Sequence, residues 1–212
     1  MSILSSLELL ARPRRGLRAL MHPRRLAAVA TLALACAAIP CAAVAQQTSA
    51  PLYGIREGTL TYTLVHKLHE VRGTSRKLEG LAKVQPGGPT LVQVRVPLAS
   101  FDSGNSNRDS HMREATHEAA HPYVEVKGTL PPLQLPLVGK TELPLDARVE
   151  LNGQVERHTI PVSLTQDGPR IRAKFSFPVS LDAHHVDRPE LLLVKVDDKV
   201  TIDGDVVFEA QK

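Results

Sequence analysis

The chain has no tryptophan, three tyrosines and four phenylalanines, an aromatic share of 3%. So few ring faces do not make a platform on which bases or sugars stack. Cysteine is almost as scarce. Both residues, Cys36 and Cys41, fall in the apolar N-terminal segment. The rest of the chain therefore has no disulfides, no thiol or CxxC redox chemistry and no CxxCH haem attachment. A GxSxG nucleophile elbow, a Gly-rich phosphate loop and an HExxH zinc motif are also missing.

Long apolar runs are confined to the N-terminus. Arg12, Arg14, Arg15, Arg18, Arg24 and Arg25 precede LAAVATLALACAAIPCAAVA, which ends on Ala43-Val44-Ala45 before Gln46. A basic region, a short apolar region and an A-x-A site make a cleaved secretory signal over residues 1–45, with Met1 or Met21 as the start. Pro40 interrupts the run, which is shorter than an anchored membrane span wants. No stable membrane insertion is expected after cleavage. A short linker over 46–52 and one domain over 53–212 complete the expected organisation.

Charge of one sign is lacking too. The full chain has 26 basic and 22 acidic residues; removing the six arginines and Glu8 leaves 20 against 21. The basic balance belongs to the leader, so the case for nucleic-acid binding fails.

What is present is alternation. Val92, Val94 and Val96 share a face opposite Gln93 and Arg95. Ile171, Ala173, Phe175, Phe177, Val179 and Leu181 oppose Arg170, Arg172, Lys174 and Ser176. Ile160, Val162 and Leu164 repeat the pattern, as do Val200, Ile202, Val206 and Phe208; this is the period of strands buried on one face. Weaker runs occur at TLTYTLVH, SRKLEGLAKV, YVEVKGTL, LPLDARVEL and LLLVKVDD. Turn signals at Pro86-Gly87-Gly88, Asn152-Gly153, Asp167-Gly168-Pro169 and Asp197-Asp198 separate them. About nine short strands without βαβ alternation predict an all-β antiparallel barrel or sandwich.

Between two strands lies FDSGNSNRDSHMREATHEAAHP, residues 101–122. A helix is expected over 106–120, with Ser106 or Asn107 as N-cap and Pro122 beyond its end. It would cover the mouth of a barrel or plug an ordinary core. Arg108-Asp109 would anchor it by charge-assisted hydrogen bonds, or Arg108 would meet an anionic head group. Eight histidines follow residue 45, among them His66, His69, His111, His117, His121, His184 and His185. His66 and His69 would point to opposite faces of a regular strand. His117 and His121 share a helix face only if the helix reaches Pro122. No tight carboxylate–histidine grouping occurs along the sequence, so no metal site or cofactor is expected. Nothing among these residues argues for catalysis.

Phe101-Asp102-Ser103-Gly104-Asn105, Arg108-Asp109-Ser110-His111-Met112-Arg113 and His121-Pro122-Tyr123 together resemble the YceI family of exported lipid-binding proteins. YTLVHKLHEVRG (Tyr62–Gly73) and VELNGQVERHTIPVSL (Val149–Leu164) resemble further family segments in the right order. The resemblance implies an extended, eight-stranded, lipocalin-like antiparallel β-barrel in the periplasm. Its long apolar channel would hold a polyisoprenoid or other long-chain amphiphile. By the same resemblance, Arg108, Asp109, His111 and Met112 belong to a lid helix beside Phe101. Val92, Val94, Val96, Ile171, Ala173, Phe175 and Phe177 would line the channel, with Ala173 and Gly204 leaving room. Where the family carries an aromatic pair after the helix motif, this chain reads EATHEAAHP. Such a lid gives up about 1.5–3 kcal/mol for each large side chain it does not bury. The alternative is a filled barrel that serves as an envelope stress or interaction module. Oligomeric state is open, a dimer being one option.

Overall fold

The computed structural model describes residues 50–66, 69–188, 190–191 and 194–211. The export signal expected over 1–45 lies outside the described residues. The elements run β1 (Leu52–His66), β2 (His69–Ser75), β3 (Glu79–Lys83), β4 (Thr90–Pro97), a 3₁₀ turn (Leu98–Ser100), α1 (Ser106–Ala115), β5 (Tyr123–Leu130) and β6 (Thr141–Leu151). Then follow β7 (Gln154–Asp167), β8 (Arg170–Ser180), β9 (Glu190–Leu191), β10 (Val194–Lys195) and β11 (Lys199–Ala210).

The strands close into a ring. β2 pairs with Leu60–His66 and β3 with Leu52–Gly54, so together they form one stave along β1. From β3 the order is β4, β5, β6, β7, β8 and β11, and β11 pairs back onto β1 from Tyr53↔Ala210 to Leu64↔Val200. Every pairing is antiparallel, giving a closed eight-stave barrel rather than a sandwich.

Alternation decides which side chains enter. Val94 opposes Val126 and Leu145 opposes Ile160 across their ladders. Val96, Ile160 and Val206 are almost wholly buried. At one end Leu133, Leu135 and Leu137, from the segment between β5 and β6, pack against the core and plug it. At the other, Leu98 and Phe101 form a smaller cluster with Leu60 and Val96, and Met112 of α1 packs on it.

The structure departs from the sequence expectations in particular places. The run expected over SRKLEGLAKV breaks after Ser75. The Ser75 hydroxyl is fully buried, lies 2.6 Å from Ser100 Oγ and accepts the Lys77 N–H, while Thr74 exchanges backbone bonds with Asp102. LLLVKVDD is not a barrel stave; it supplies β9 and β10, a separate small hairpin. The helix stops at Ala115 rather than 120. There Glu118 N–H donates to Arg113 C=O and His117 N–H to Glu114 C=O, with His117 at φ 48°, a Schellman stop with a left-handed residue. Hence His117 and His121 do not share a helix face. The N-cap is Asn105, one residue before the expected position; its side chain accepts from Asn107 N and Arg108 N at 3.1 Å each. Asn152 and Gly153 both have positive φ (51° and 71°) and form the two-residue turn joining β6 to β7.

Candidate ligand cavity

The barrel encloses a cavity of about 1020 Å³, at the upper end of small-molecule sites. Its wall is built from inward positions of every stave, almost all Val, Leu, Ile, Ala or Phe. Polar side chains gather where α1 meets the segment after β8: Asn105, Arg108, His111, Glu114 and Thr116 on one side, Asp187 and Arg188 on the other. An apolar interior with charge at one mouth suits a ligand that is mostly hydrocarbon with one polar end.

Eleven of the twelve residues singled out from the sequence line this cavity: Val92, Val94, Val96, Phe101, Arg108, His111, Met112, Ile171, Ala173, Phe175 and Phe177. Asp109 does not. It is buried, and its carboxylate accepts from Ser103 N–H at 3.1 Å and Ser103 O–H at 2.5 Å. Arg108 donates to the same serine, through Nε to Oγ at 2.9 Å and Nη2 to the carbonyl at 2.6 Å. The dipeptide thus grips the incoming loop from both sides and fixes α1 over the mouth. Arg108 does this while still bordering the cavity.

Tyr62 lies beneath this end, its ring 5.6 Å from that of Phe101, so the aromatic contact missing from the helix is supplied by strand and loop. Burial, and then the Asp109 carboxylate, push its phenol above the ordinary tyrosine range, with Arg108 opposing. A neutral hydroxyl is retained at the cavity wall.

Gly204 does not provide the room expected of it. It is buried and pairs with Phe175, whose ring covers the position a Cβ would take. The glycine makes space for that aromatic, not for a ligand.

Two features went unread in the sequence. Asn152, expected only as a turn residue, is buried and holds three segments together. Nδ2 donates to the carbonyls of His184 (3.1 Å) and His185 (3.0 Å), and Oδ1 accepts from His117 Nδ1 at 2.9 Å. Close by, Glu156, His158 and His184 converge with ligand atoms within 4.8 Å of one another, although no carboxylate–histidine grouping shows along the chain. The alternation of β7 was the available signal, since it places Glu156 and His158 on the same face as Ile160.

The YceI-like domain model matches residues 55–208. A polyisoprenoid binding domain from Saccharophagus degradans, implicated in plant cell wall breakdown, superposes with a TM-score of 0.63 at 15% identity, covering 75% of this chain and 98% of its own. Burkholderia cenocepacia BcnA gives 0.59 at 18% identity, with 71% and 95% covered. The Campylobacter jejuni YCEI protein gives 0.54 at 11%, with 70% and 89% covered. A search of curated proteins finds no significant match. At these identities the structural likeness speaks for the fold, but the domain match spans nearly the whole barrel, and the chain belongs to the YceI-like family.

Proposed function

We propose that this is an exported, periplasmic lipid-binding protein that holds a single long-chain amphiphile, polyisoprenoid or similar, inside the barrel without chemistry of its own. The observation that carries the reading is the enclosed apolar cavity with its charged groups confined to one mouth. The tail would be buried among Val94, Ile160, Phe175 and their neighbours. The polar end would meet Arg108 and His111 beneath α1, with Arg188 across the opening. Family membership and the polyisoprenoid-binding neighbour support the same ligand class. The arginine-rich leader ending in Ala43-Val44-Ala45 supports export. A filled interaction module leaves the cavity unexplained.

Native mass spectrometry of protein purified from an exporting host, followed by organic extraction, tests the proposal. A bound species of defined mass, released only on unfolding, is the expected result. A bare polypeptide that also takes up no added isoprenoid or fatty chain overturns it.

A further inference from the structure

At the helix-bearing end of the barrel, beside Phe177, a buried histidine stands among charged neighbours. His184 lies in the turn after β8 and is completely buried. Its Nδ1–H donates to the Gln154 carbonyl at 3.1 Å, which leaves Nε2 as the free nitrogen. Among the described residues that Nε2 has no hydrogen-bond partner. It faces Glu156 Oε2 at 3.6 Å, while His158 Nε2 approaches the same oxygen at 3.1 Å. A buried imidazole nitrogen without a partner is costly, and here it points at a carboxylate that a second imidazole also faces. Something positive belongs among the three atoms.

We propose that Glu156, His158 and His184 form a divalent-metal site of the zinc class, with two imidazoles and one carboxylate as ligands. Bonds of about 2.0–2.1 Å to a tetrahedral ion put ligand atoms about 3.3 Å apart, close to the two separations found. The surroundings fit. The Gln154 carbonyl fixes the His184 tautomer and orientation, as partners of ligating histidines do. Phe177 stands edge-on to His158 at 5.4 Å and separates the cluster from the lipid cavity it lines. Glu156 remains partly exposed, giving an ion a way in and a water the fourth position. The two β7 ligands and the single loop ligand make the site a clamp between barrel wall and the segment over 181–186. With both cysteines in the leader, nitrogen and oxygen donors favour zinc or its neighbours over thiophilic ions. The site is independent of the lipid proposal and stands or falls separately.

The test uses protein from an exporting host, stripped with a chelator and titrated with Zn²⁺ alone against a chromophoric competitor. The wild type should bind a single tight ion and melt at a higher temperature with it. E156Q and H158Q should each weaken binding by more than the roughly 10- to 100-fold that loss of an outer-shell partner costs. H185N, which removes an exposed imidazole nearby, should bind like the wild type. If H184Q does not fold, the partly exposed Glu156 and His158 carry the comparison, with circular dichroism reporting their fold. Equal binding by all variants assigns the zinc to surface histidines and overturns the proposal. So does a chain that retains no zinc and shows His184 by ¹⁵N NMR as a doubly protonated imidazolium paired with Glu156.

Discussion

Asn152 offers the sharpest check on how the helix end of the barrel is held. Its side chain makes three hydrogen bonds, to the His184 and His185 carbonyls and from His117, while its backbone sits at φ 51°. Replacement by Gly keeps the backbone and removes the bonds. At about 0.5–1.5 kcal/mol for each bond, and more where a buried carbonyl loses its partner, the loss should be about 2–4 kcal/mol. Replacement by Ala removes the same bonds and adds left-handed strain of about 1–2 kcal/mol. The greater freedom of Gly in the unfolded chain hides about 0.5–1 kcal/mol of that difference. For a domain of this size, where 1 kcal/mol shifts Tm by about 2–4 °C, Asn152→Gly should melt roughly 4–16 °C below wild type and Asn152→Ala lower still. Thermal denaturation followed by circular dichroism reads both. A glycine variant that melts with the wild type would mean that the three bonds are replaced by water at no cost. Equal melting of the two variants would mean that the turn relaxes away from positive φ.

Three further outcomes follow from the same structure. Val94→Asp places a carboxylate on the cavity wall and should abolish retention of a copurifying lipid; a folded variant that still carries the lipid by mass spectrometry would count against the carrier proposal. Gly204→Ala drives a methyl into the Phe175 ring and should cost about 1–3 kcal/mol, much of it recovered in the double variant with Phe175→Leu; purely additive urea midpoints would refute the contact. Asp198 is held below the ordinary carboxylate range, first by the Asp182 N–H and then by the Ser180 hydroxyl, Arg188 and the Leu181 N–H, against its own desolvation. A depressed folded value means stability that is present above about pH 4 and lost as pH falls through that lower value. Acid melts should therefore flatten in Asp198→Asn, and an unchanged acid profile would exclude this carboxylate.

The staves were legible because one face of each is buried, and period-two alternation records that directly; Val92, Val94 and Val96 or Ile171 through Phe177 needed nothing more. The lid motif was legible through its residues, and its anchoring role through the charged pair Arg108-Asp109. What escaped depends on contacts between elements. The helix end is decided by His117 adopting a left-handed backbone, the small hairpin by β9 and β10 pairing with each other rather than with a stave, and the use of Gly204 by an aromatic on the neighbouring strand. The Glu156 and His158 pair is spaced to share one face of β7, but His184 joins it from a turn one whole hairpin away, and linear spacing carries no trace of that third partner.

The pairing of β1 with β11 carries a consequence for how the molecule is made. The stave nearest the start of the barrel completes its ladder only with the stave nearest the end, from Tyr53↔Ala210 onward. A nascent chain has every other stave in hand and still presents two bare edges. The ring shuts only once β11 has emerged to meet β1, so folding is dominated by partners distant in sequence, which is intrinsically slow. Until then the apolar lining is open to anything that binds exposed strands. Loss of β11 would therefore do more than remove one strand. It would leave β1 and β8 each with an unsatisfied edge where the native ring pairs both with β11.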